Sequence, residues 1–248
     1  MLVLLRTMDN SIYIALSRQL ALMNDMDVTA NNIANMNTAG YSANRVLFTS
    51  YLTQDGPRGK MAQAHDISTY RDTTPGAARE TGNTLDVAIG GEGYFTVQTP
   101  QGRRYTRAGN FQMDGNGTLV TQEGYPVLDA TGQQIQFAQE DKTIIIGSAG
   151  NISVDGKGRG QIAVVNFPNP QDMKRLGEHI YATDQTPQPI ENGRVMQGML
   201  ENSNVGPVSE MTHMMNVNRD FEETTKFIQI LYDLQSKHIT AWTQQSNG

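Results

Sequence analysis

Two stripes of residues at helical spacing, one at each end of the chain, constrain the fold most. Residues 10–36 lack Gly and Pro, and a stripe alternates there at intervals of four and three: Ile12, Leu16, Gln19, Met23, Met26, Ala30 and Ile33. After Pro207 the same alternation returns: Met214, Val217, Phe221, Thr224, Ile228, Leu231, Gln235, His238 and Trp242. Such alternation is typical of heptad seams on long helices. Because an isolated helix cannot bury its stripe, the seams are predicted to pack against each other, against neighbouring copies, or both.

An ordinary amphipathic helix is the alternative for each stripe. Over four heptads a wide apolar stripe and a narrow seam overlap, so both helices could instead face a β body. The asparagines near the end of the first stripe are also ambiguous, because Asn both fixes register between helices and ends them. These residues are Asn31, Asn32, Asn35 and Asn37, and they lead to Gly40, near which the helix is predicted to stop.

Short β patterns fill the middle of the chain. Residues 41–80 are turn-rich, with Gly56-Pro57 and Pro75-Gly76, and predict an extended hairpin or arm. Residues 81–197 hold short apolar runs at 85–89, 94–97, 144–146 and 162–165, with hairpin turns at Asp114-Gly115, Asp155-Gly156 and Asn192-Gly193. We predict an α+β fold: N-terminal helix 1–40, arm 41–80, β-rich body 81–197, and C-terminal segment and helix 198–248, with the two helices forming a coiled-coil-like pair.

Composition excludes several classes of function. The chain has no cysteine, which excludes disulfides and cysteine-based metal or catalytic sites. A formal charge of −6 with scattered Lys and Arg argues against a nucleic-acid partner. The apolar run Met1 to Leu5 is too short for a signal peptide or a membrane helix, so no membrane insertion is expected. Met8 is an equally plausible start, so residues 1–7 are expected to be an upstream extension or an alternative initiation.

No set of residues predicts catalysis, a cofactor or a metal site. The four histidines, His65, His179, His213 and His238, are isolated in sequence from other ligand-type side chains. The segment 114–118 imitates a calcium loop, but Tyr125 stands where a Glu is required, so a hairpin turn is favoured. The segment 90–93 is predicted to be a tight β turn, and Met211, Met214 and Met215 an adaptable packing surface rather than metal ligands.

Four segments resemble the bacterial flagellar axial proteins, the rod and hook family, in the right order. They are residues 30–41 (ANNIANMNTAGY), residues 81–89 (TGNTLDVAI) followed by 93–95 (GYF), residues 105–111 (YTRAGNF), and residues 197–205 (QGMLENSNV) continuing to Glu210-Met211. Because these segments span nearly the whole chain, the resemblance is specific. Length, residues 9–13 and Ser17-Arg18-Gln19 look more like a proximal-rod subunit; a distal-rod or hook-type subunit is the alternative.

The resemblance implies a non-enzymatic subunit that polymerises with copies of itself and other flagellar rod proteins. It implies export through the flagellar type III apparatus without a cleavable signal peptide, assembly in the periplasm, and a rod that transmits torque. The predicted assembly interface comprises Ile12, Leu16, Met23, Met26, Ala30, Asn31, Asn32, Ile33, Asn35, Asn37, Gly40, Ser203, Asn204, Val205, Met211, Met214, Val217, Phe221, Ile228 and Leu231.

Two other classes of protein remain as rivals on sequence grounds. A secreted carbohydrate- or surface-binding β domain with helical flanks would need an aromatic platform, whereas the aromatic residues here stand singly within strands. A hydrolase would need convergent carboxylates or a nucleophile beside a base, and the sequence brings none together.

Overall fold

The computed structural model describes the backbone of residues 2–54, 60–138, 140–141, 143–177, 179–190 and 194–245. Within these ranges it describes no side chains at 2–10, 48–67 or 238–245. The predicted turns at Gly56-Pro57 and Asn192-Gly193 lie outside the described residues. His65, His238 and Trp242 are described by their backbone only. The fold is α+β, with an N-terminal helix, a β-rich middle and a C-terminal helix, as predicted.

The chain divides into two compact units. Unit 1 consists of Met1–Ala34, Asn44–Tyr70 and Gly206–Gly248, and unit 2 consists of Asn35–Ala43 and Arg71–Val205. Both ends of the chain therefore belong to the same unit, although all of unit 2 separates them in sequence.

Unit 1 contains the two long helices and a two-stranded sheet. Helix α1 is Leu2–Ala34 and helix α2 is Pro207–Gln245. Strands β1 (Asn44–Gln54) and β2 (Lys60–Arg71) pair with each other. Pro207 occupies the first helical position, which suits a residue with no backbone N–H. Helix α1 begins at Leu2, eight residues before the stripe region 10–36, and ends six residues before Gly40.

Unit 2 is built from short strands. The described strands are β3 (Ala78–Glu80), β4 (Val87–Gly90), β5 (Tyr94–Thr99), β6 (Gly102–Thr106), β7 (Gln112–Met113), β8 (Leu119–Val120), β9 (Ile144–Ile146), β10 (Asn151–Val154), β11 (Lys157–Gln161), β12 (Val164–Asn166), β13 (Lys174–Arg175), β14 (Ile180–Ala182), β15 (Gln188–Pro189), β16 (Arg194–Gln197) and β17 (Met199–Glu201). A short 3-10 helix covers Pro170–Asp172.

The largest sheet of unit 2 has the strand order β13-β14-β6-β5-β12-β15, and its described pairs are antiparallel. A second sheet has the order β11-β10-β9, and β16-β4, β17-β3 and β7-β8 form pairs. The predicted turn at Asp155-Gly156 joins β10 to β11, and both residues have positive φ, +47° and +80°, as a two-residue hairpin turn requires. The predicted turn after Met113 is also present, with Asp114 Oδ1 accepting from the amides of Asn116 and Thr118 at 2.9 and 2.7 Å.

The core of unit 2 lies on both faces of β5. Phe95 and Val97 belong to an aliphatic and aromatic cluster that includes Phe111 and Leu119. Tyr94, on the opposite face, belongs to a cluster with Tyr105, Phe167, Met173 and Tyr181. Because alternate residues of a strand point to opposite faces, one buried strand supports both clusters.

Candidate assembly interface

Helices α1 and α2 contact each other through polar side chains along their length. Successive contacts move forward along α1 and, on the whole, backward along α2: Arg18–Asp220 (3.7 Å), Gln19–Thr225 (3.1 Å), Asp25–His213 (3.1 Å) and Asn32–Glu210 (3.3 Å). This order means that the two helices run antiparallel.

The buried stripe of α2 coincides with the predicted one. Val217 and Thr224 are buried, and Met214, Phe221, Ile228, Leu231 and Gln235 are half-buried. Most residues between them are exposed. Met211, which was predicted as part of the interface but not of the seam, is exposed.

The buried stripe of α1 lies one residue earlier than predicted. Its buried members are Ala15, Leu22, Asp25, Thr29 and Asn32, which keep the heptad alternation. The predicted members Leu16, Met23 and Ala30 are exposed, whereas Ile12, Gln19, Met26 and Ile33 are half-buried on the flank. The displacement has a simple cause: the stripe uses small and polar side chains, and apolar periodicity locates only large apolar ones.

A polar cluster occupies the end of this stripe nearest β1. Asn32 Nδ2 donates to Glu210 Oε2 at 3.3 Å and to the Asn44 carbonyl at 2.8 Å, and Asn32 Oδ1 accepts from the Asn44 amide at 3.0 Å. Arg45 forms an ion pair with Glu210, whose side chain is 1% exposed. Since buried carboxylates require such partners, these groups hold one another in place. Asn31 and Asn37 are exposed, and Asn35 accepts from the Thr38 hydroxyl and amide in the turn after α1.

His213 has a partner that the sequence did not reveal. It was predicted to have no carboxylate at ligand spacing in the sequence, and in the structure its Nε2 lies 3.1 Å from Oδ1 of Asp25, a residue 188 positions away. Separation in sequence hid the pair, because only the antiparallel packing of the helices brings the two residues together.

Each helix also carries apolar side chains that are exposed. On α1 they form a stripe of Tyr13, Leu16, Leu20 and Met23. On α2 they include the group Val208, Met211 and Met215 and the group Phe227, Ile230 and Leu234. Their spacing of three and four residues places each group along one side of its helix. Exposed apolar side chains along one side of a helix make these groups candidates for protein–protein contact.

Gly40 and Tyr41, at the end of the first resembling segment, pack within unit 2. Gly40 has φ +66°, and its amide donates to the Glu201 carbonyl at 2.9 Å. A Cβ on Gly40 would lie 2.5 Å from the carbonyl carbon of Arg107, so only glycine fits. Tyr41 is buried beside Val205 and Ala43. The close approach of two backbones therefore explains the glycine at this point.

A buried ion pair stands next to Gly40. Arg107 donates to Glu201 Oε2 at 2.5 Å and to the carbonyls of Gly91 and Gly93 at 2.9 and 2.7 Å. Glu201 Oε1 accepts from the Gly76 amide at 3.0 Å. One pair therefore joins several turns of unit 2. Both charged residues belong to segments that resemble the family, but no role was predicted for either.

The predicted interface residues 203–205 also pack inside unit 2. Asn204 accepts from the Ala43 amide at 2.7 Å and donates to the carbonyls of Asp72 and Thr74, both at 2.9 Å. Val205 is buried, and its amide donates to the Ser203 hydroxyl at 3.2 Å. These side chains thus tie the segment after β17 to the segment after Gly40.

Arginine and tyrosine side chains of unit 2 alternate next to Tyr41. Arg175 lies 4.5 Å from the ring centre of Tyr41, and Arg71 lies 4.3 Å from that of Tyr181. Arg175 also lies 5.7 Å from the Tyr181 ring. Burial raises the pKa of Tyr94, which neighbours Arg71, and the positive charge of Arg71 opposes that shift. Cation–π contacts at these distances stabilise buried guanidinium groups.

Three family models match this chain. Residues 12–41 match the flagella basal body rod protein family, residues 88–154 the flagellar hook protein FlgE/F/G D1 domain, and residues 196–241 the flagellar basal body rod FlgEFG protein C-terminal family. The matched ranges contain α1 from Ile12 onwards, most of β4, all of β5 to β10, and most of α2 with β17.

Whole proteins match as well. The flagellar basal-body rod protein FlgF of Caulobacter vibrioides is 36% identical over 228 residues, which cover 89% of this chain and 93% of that protein. FlgF of Mesorhizobium japonicum is 37% identical, with coverage of 88% and 91%. FlgG of Bacillus subtilis is 36% identical, with coverage of 88% and 93%. The chain belongs to the flagellar basal-body rod protein family.

Membership of the flagellar basal-body rod protein family confirms the resemblance, and within the family the chain is most like the FlgF proteins. It is a structural subunit of the rod in the flagellum, and it is not an enzyme, since the family is non-enzymatic. Among the described residues no group of His, Asp and Glu is arranged to hold a metal ion. No described helix combines the length and apolarity needed to span a membrane.

Proposed function

We propose that this rod protein polymerises through α1 and α2, which pair as a coiled coil and present their exposed stripes to neighbouring subunits. The residues 1–40 and 198–248 form the assembly core, 41–80 an extended arm and 81–197 the body. Neighbours are copies of the chain and other rod proteins. The proposed interface residues Leu16, Met23 and Met211 lie on exposed stripes, which supports a role between subunits.

The observation that carries this proposal is that each helix has a second stripe of apolar side chains, which is exposed, besides the stripe buried against the other helix. Phe227, Ile230 and Leu234 are about half exposed although they lie on a helix whose other side is buried against α1. Leaving such side chains in water is unfavourable by about 25 cal/mol per Å² of apolar area, so covering them favours association. If the exposed stripe of one subunit binds a different surface of the next subunit, and the contacts do not close into a ring, the product is a helical filament. A filament of paired helices transmits torque.

We further propose that the chain is a proximal-rod subunit in the periplasm, exported by the flagellar type III apparatus without a cleavable signal peptide. The likeness to FlgF proteins supports this position. A distal-rod position is the alternative, and the comparable identity to FlgG supports it.

A substitution on the exposed stripe tests polymerisation. We expect Ile230→Asp to be absent from isolated basal bodies and to abolish swimming, because a charge on a subunit contact is costly to bury. The helix content of the purified variant should stay unchanged. Gln229→Asp, also on the exposed part of α2, is the matched control and should assemble. Normal incorporation of Ile230→Asp would contradict the proposal.

A further inference from the structure

The seam between α1 and α2 is unusual because charged and amide groups, not apolar ones, occupy its end near β1. Glu210 and Asn32 are each 1% exposed and Asp25 is 7% exposed. Buried polar groups of this kind weaken a helix pair relative to an apolar seam, yet they admit only arrangements in which every group finds its partner.

Each group of this cluster has a partner on another element. Asn32 on α1 contacts Glu210 on α2 and both backbone groups of Asn44 at the start of β1. Glu210 also pairs with Arg45. Farther along, Asp25 pairs with His213. The cluster therefore fixes α1 and α2 against the same strand.

A shift of α2 by one heptad, about 10 Å along the helix, is the alternative that a heptad repeat permits. In one direction the shift brings Glu210 opposite Asp25. In the other it brings Asp220 opposite Asp25 and Val217 opposite Asn32. Either shift thus places two carboxylates together, and like charges on facing helices disfavour that arrangement.

We infer that the Asn32–Glu210–Arg45 and Asp25–His213 cluster is a register-setting element, which restricts α1 and α2 of one chain to a single antiparallel alignment. The inference rests on the proposed pairing of these helices in the rod. It adds that polar residues, rather than the apolar seam, determine the alignment and hence where each exposed stripe is displayed.

The absence of cysteine makes the alignment measurable. Gln19 contacts Thr225 at 3.1 Å. Gln19→Cys is therefore combined with Thr225→Cys to report the native alignment, and with Asn218→Cys or Tyr232→Cys to report the two shifted ones. Basal bodies from cells that make only the variant are treated with a short thiol-specific cross-linker. Peptide mass spectrometry identifies the linked residues, and gel mobility separates links within a chain from links between chains.

With the cluster intact, we expect only the 19–225 product, within one chain. Asn32→Leu with Glu210→Leu should lower that product at least twofold, and the 19–218 product should appear. The 19–232 product should stay minor, because Asp220 still meets Asp25 in that shift. Thr224→Val is the matched control, because Thr224 is buried in the same seam but its hydroxyl donates to the Asp220 carbonyl of its own helix. The control should cross-link like the unsubstituted cluster.

A milder variant decides the question if the double variant does not assemble. Glu210→Gln removes the repulsion from Asp25 in one shift only, so the 19–218 product should appear without the 19–232 product. Cross-linking identical to that of the intact cluster in either variant would overturn the inference. Equal cross-linking of all three pairs with the cluster intact, or links only between chains, would instead show that the proposed pairing itself is wrong.

Discussion

Gly40 shows how a single residue limits the packing of unit 2. Its φ is positive, and the backbone of Arg107 would lie 2.5 Å from any Cβ at this position. We expect Gly40→Ala to lower the free energy of unfolding by on the order of 2–6 kcal/mol, because backbone strain and overpacking add. Urea unfolding followed by tyrosine fluorescence measures this loss.

Gly82→Ala is the control for that measurement. Gly82 also has a positive φ, +74°, but nothing among the described residues lies within 4 Å of its Cβ position. Gly82→Ala should therefore lower the free energy of unfolding by the backbone strain alone, about 1–2 kcal/mol. Equal losses at the two glycines would show that the close approach at Gly40 contributes nothing.

The ion pair between Arg107 and Glu201 gives a second prediction at this scale. Both side chains are less than a tenth exposed. Glu201→Gln should lower the free energy of unfolding of unit 2 by about 3–5 kcal/mol, because the substitution leaves the buried guanidinium uncompensated. Thermal unfolding of the purified chain measures the loss.

The pair between Arg18 and Asp220 serves for comparison, because it is about half exposed. Asp220→Asn should change stability by less than about 1 kcal/mol, since water screens this pair. A loss as large as that from Glu201→Gln would contradict the assigned difference in burial.

Some of these residues could be found from sequence and others could not. Gly40 was singled out because asparagines and a glycine end a helix pattern. Arg107 and Glu201 stood in segments that resemble the family, but nothing in their spacing reveals a contact between residues 94 positions apart. Ion pairs between distant residues depend on how strands associate, which local patterns do not encode.

Among the elements, α1 illustrates the limit of periodicity. The helix and its repeat of seven were predicted, but the stripe was assigned to the side that carries Leu16 and Met23, and these two residues are exposed. In α2 the buried positions carry large apolar residues such as Phe221 and Ile228, so the prediction located them. A heptad pattern fails where the buried residues are small or polar, as Ala15, Thr29 and Asn32 are.

The corrected position of the buried stripe on α1 predicts a large loss of stability for one leucine substitution and almost none for another. Leu22→Ala should lower the free energy of unfolding of unit 1 by about 2–5 kcal/mol, because it leaves a cavity in the seam. Leu16→Ala should stay within about 0.5 kcal/mol, because Leu16 is 46% exposed. Urea unfolding followed by circular dichroism at the helix signal measures both. The reverse order of effects would restore the seam predicted from sequence.

At the scale of the whole molecule, the two units should differ in stability. The core of unit 2 contains large apolar side chains, among them Phe95, Phe111 and Leu119. The seam of unit 1 is narrow and rich in polar groups. We expect amide hydrogen exchange of the free chain to be faster in α1 and α2 than in β5 and β6, because local opening costs less where little apolar area is buried. Equal protection would contradict this difference.

The division of the chain into units has a consequence for the order of folding. Unit 1 joins residues that are far apart in sequence: Gln19 and Thr225, which contact each other, are 206 positions apart. Helix α2 also follows all of unit 2 in the chain. During synthesis unit 2 can fold as soon as Val205 is free, whereas α1 must wait for α2. Closing so long a loop is also slow. The helical unit is therefore the last part of each subunit to form, and an incomplete chain lacks it.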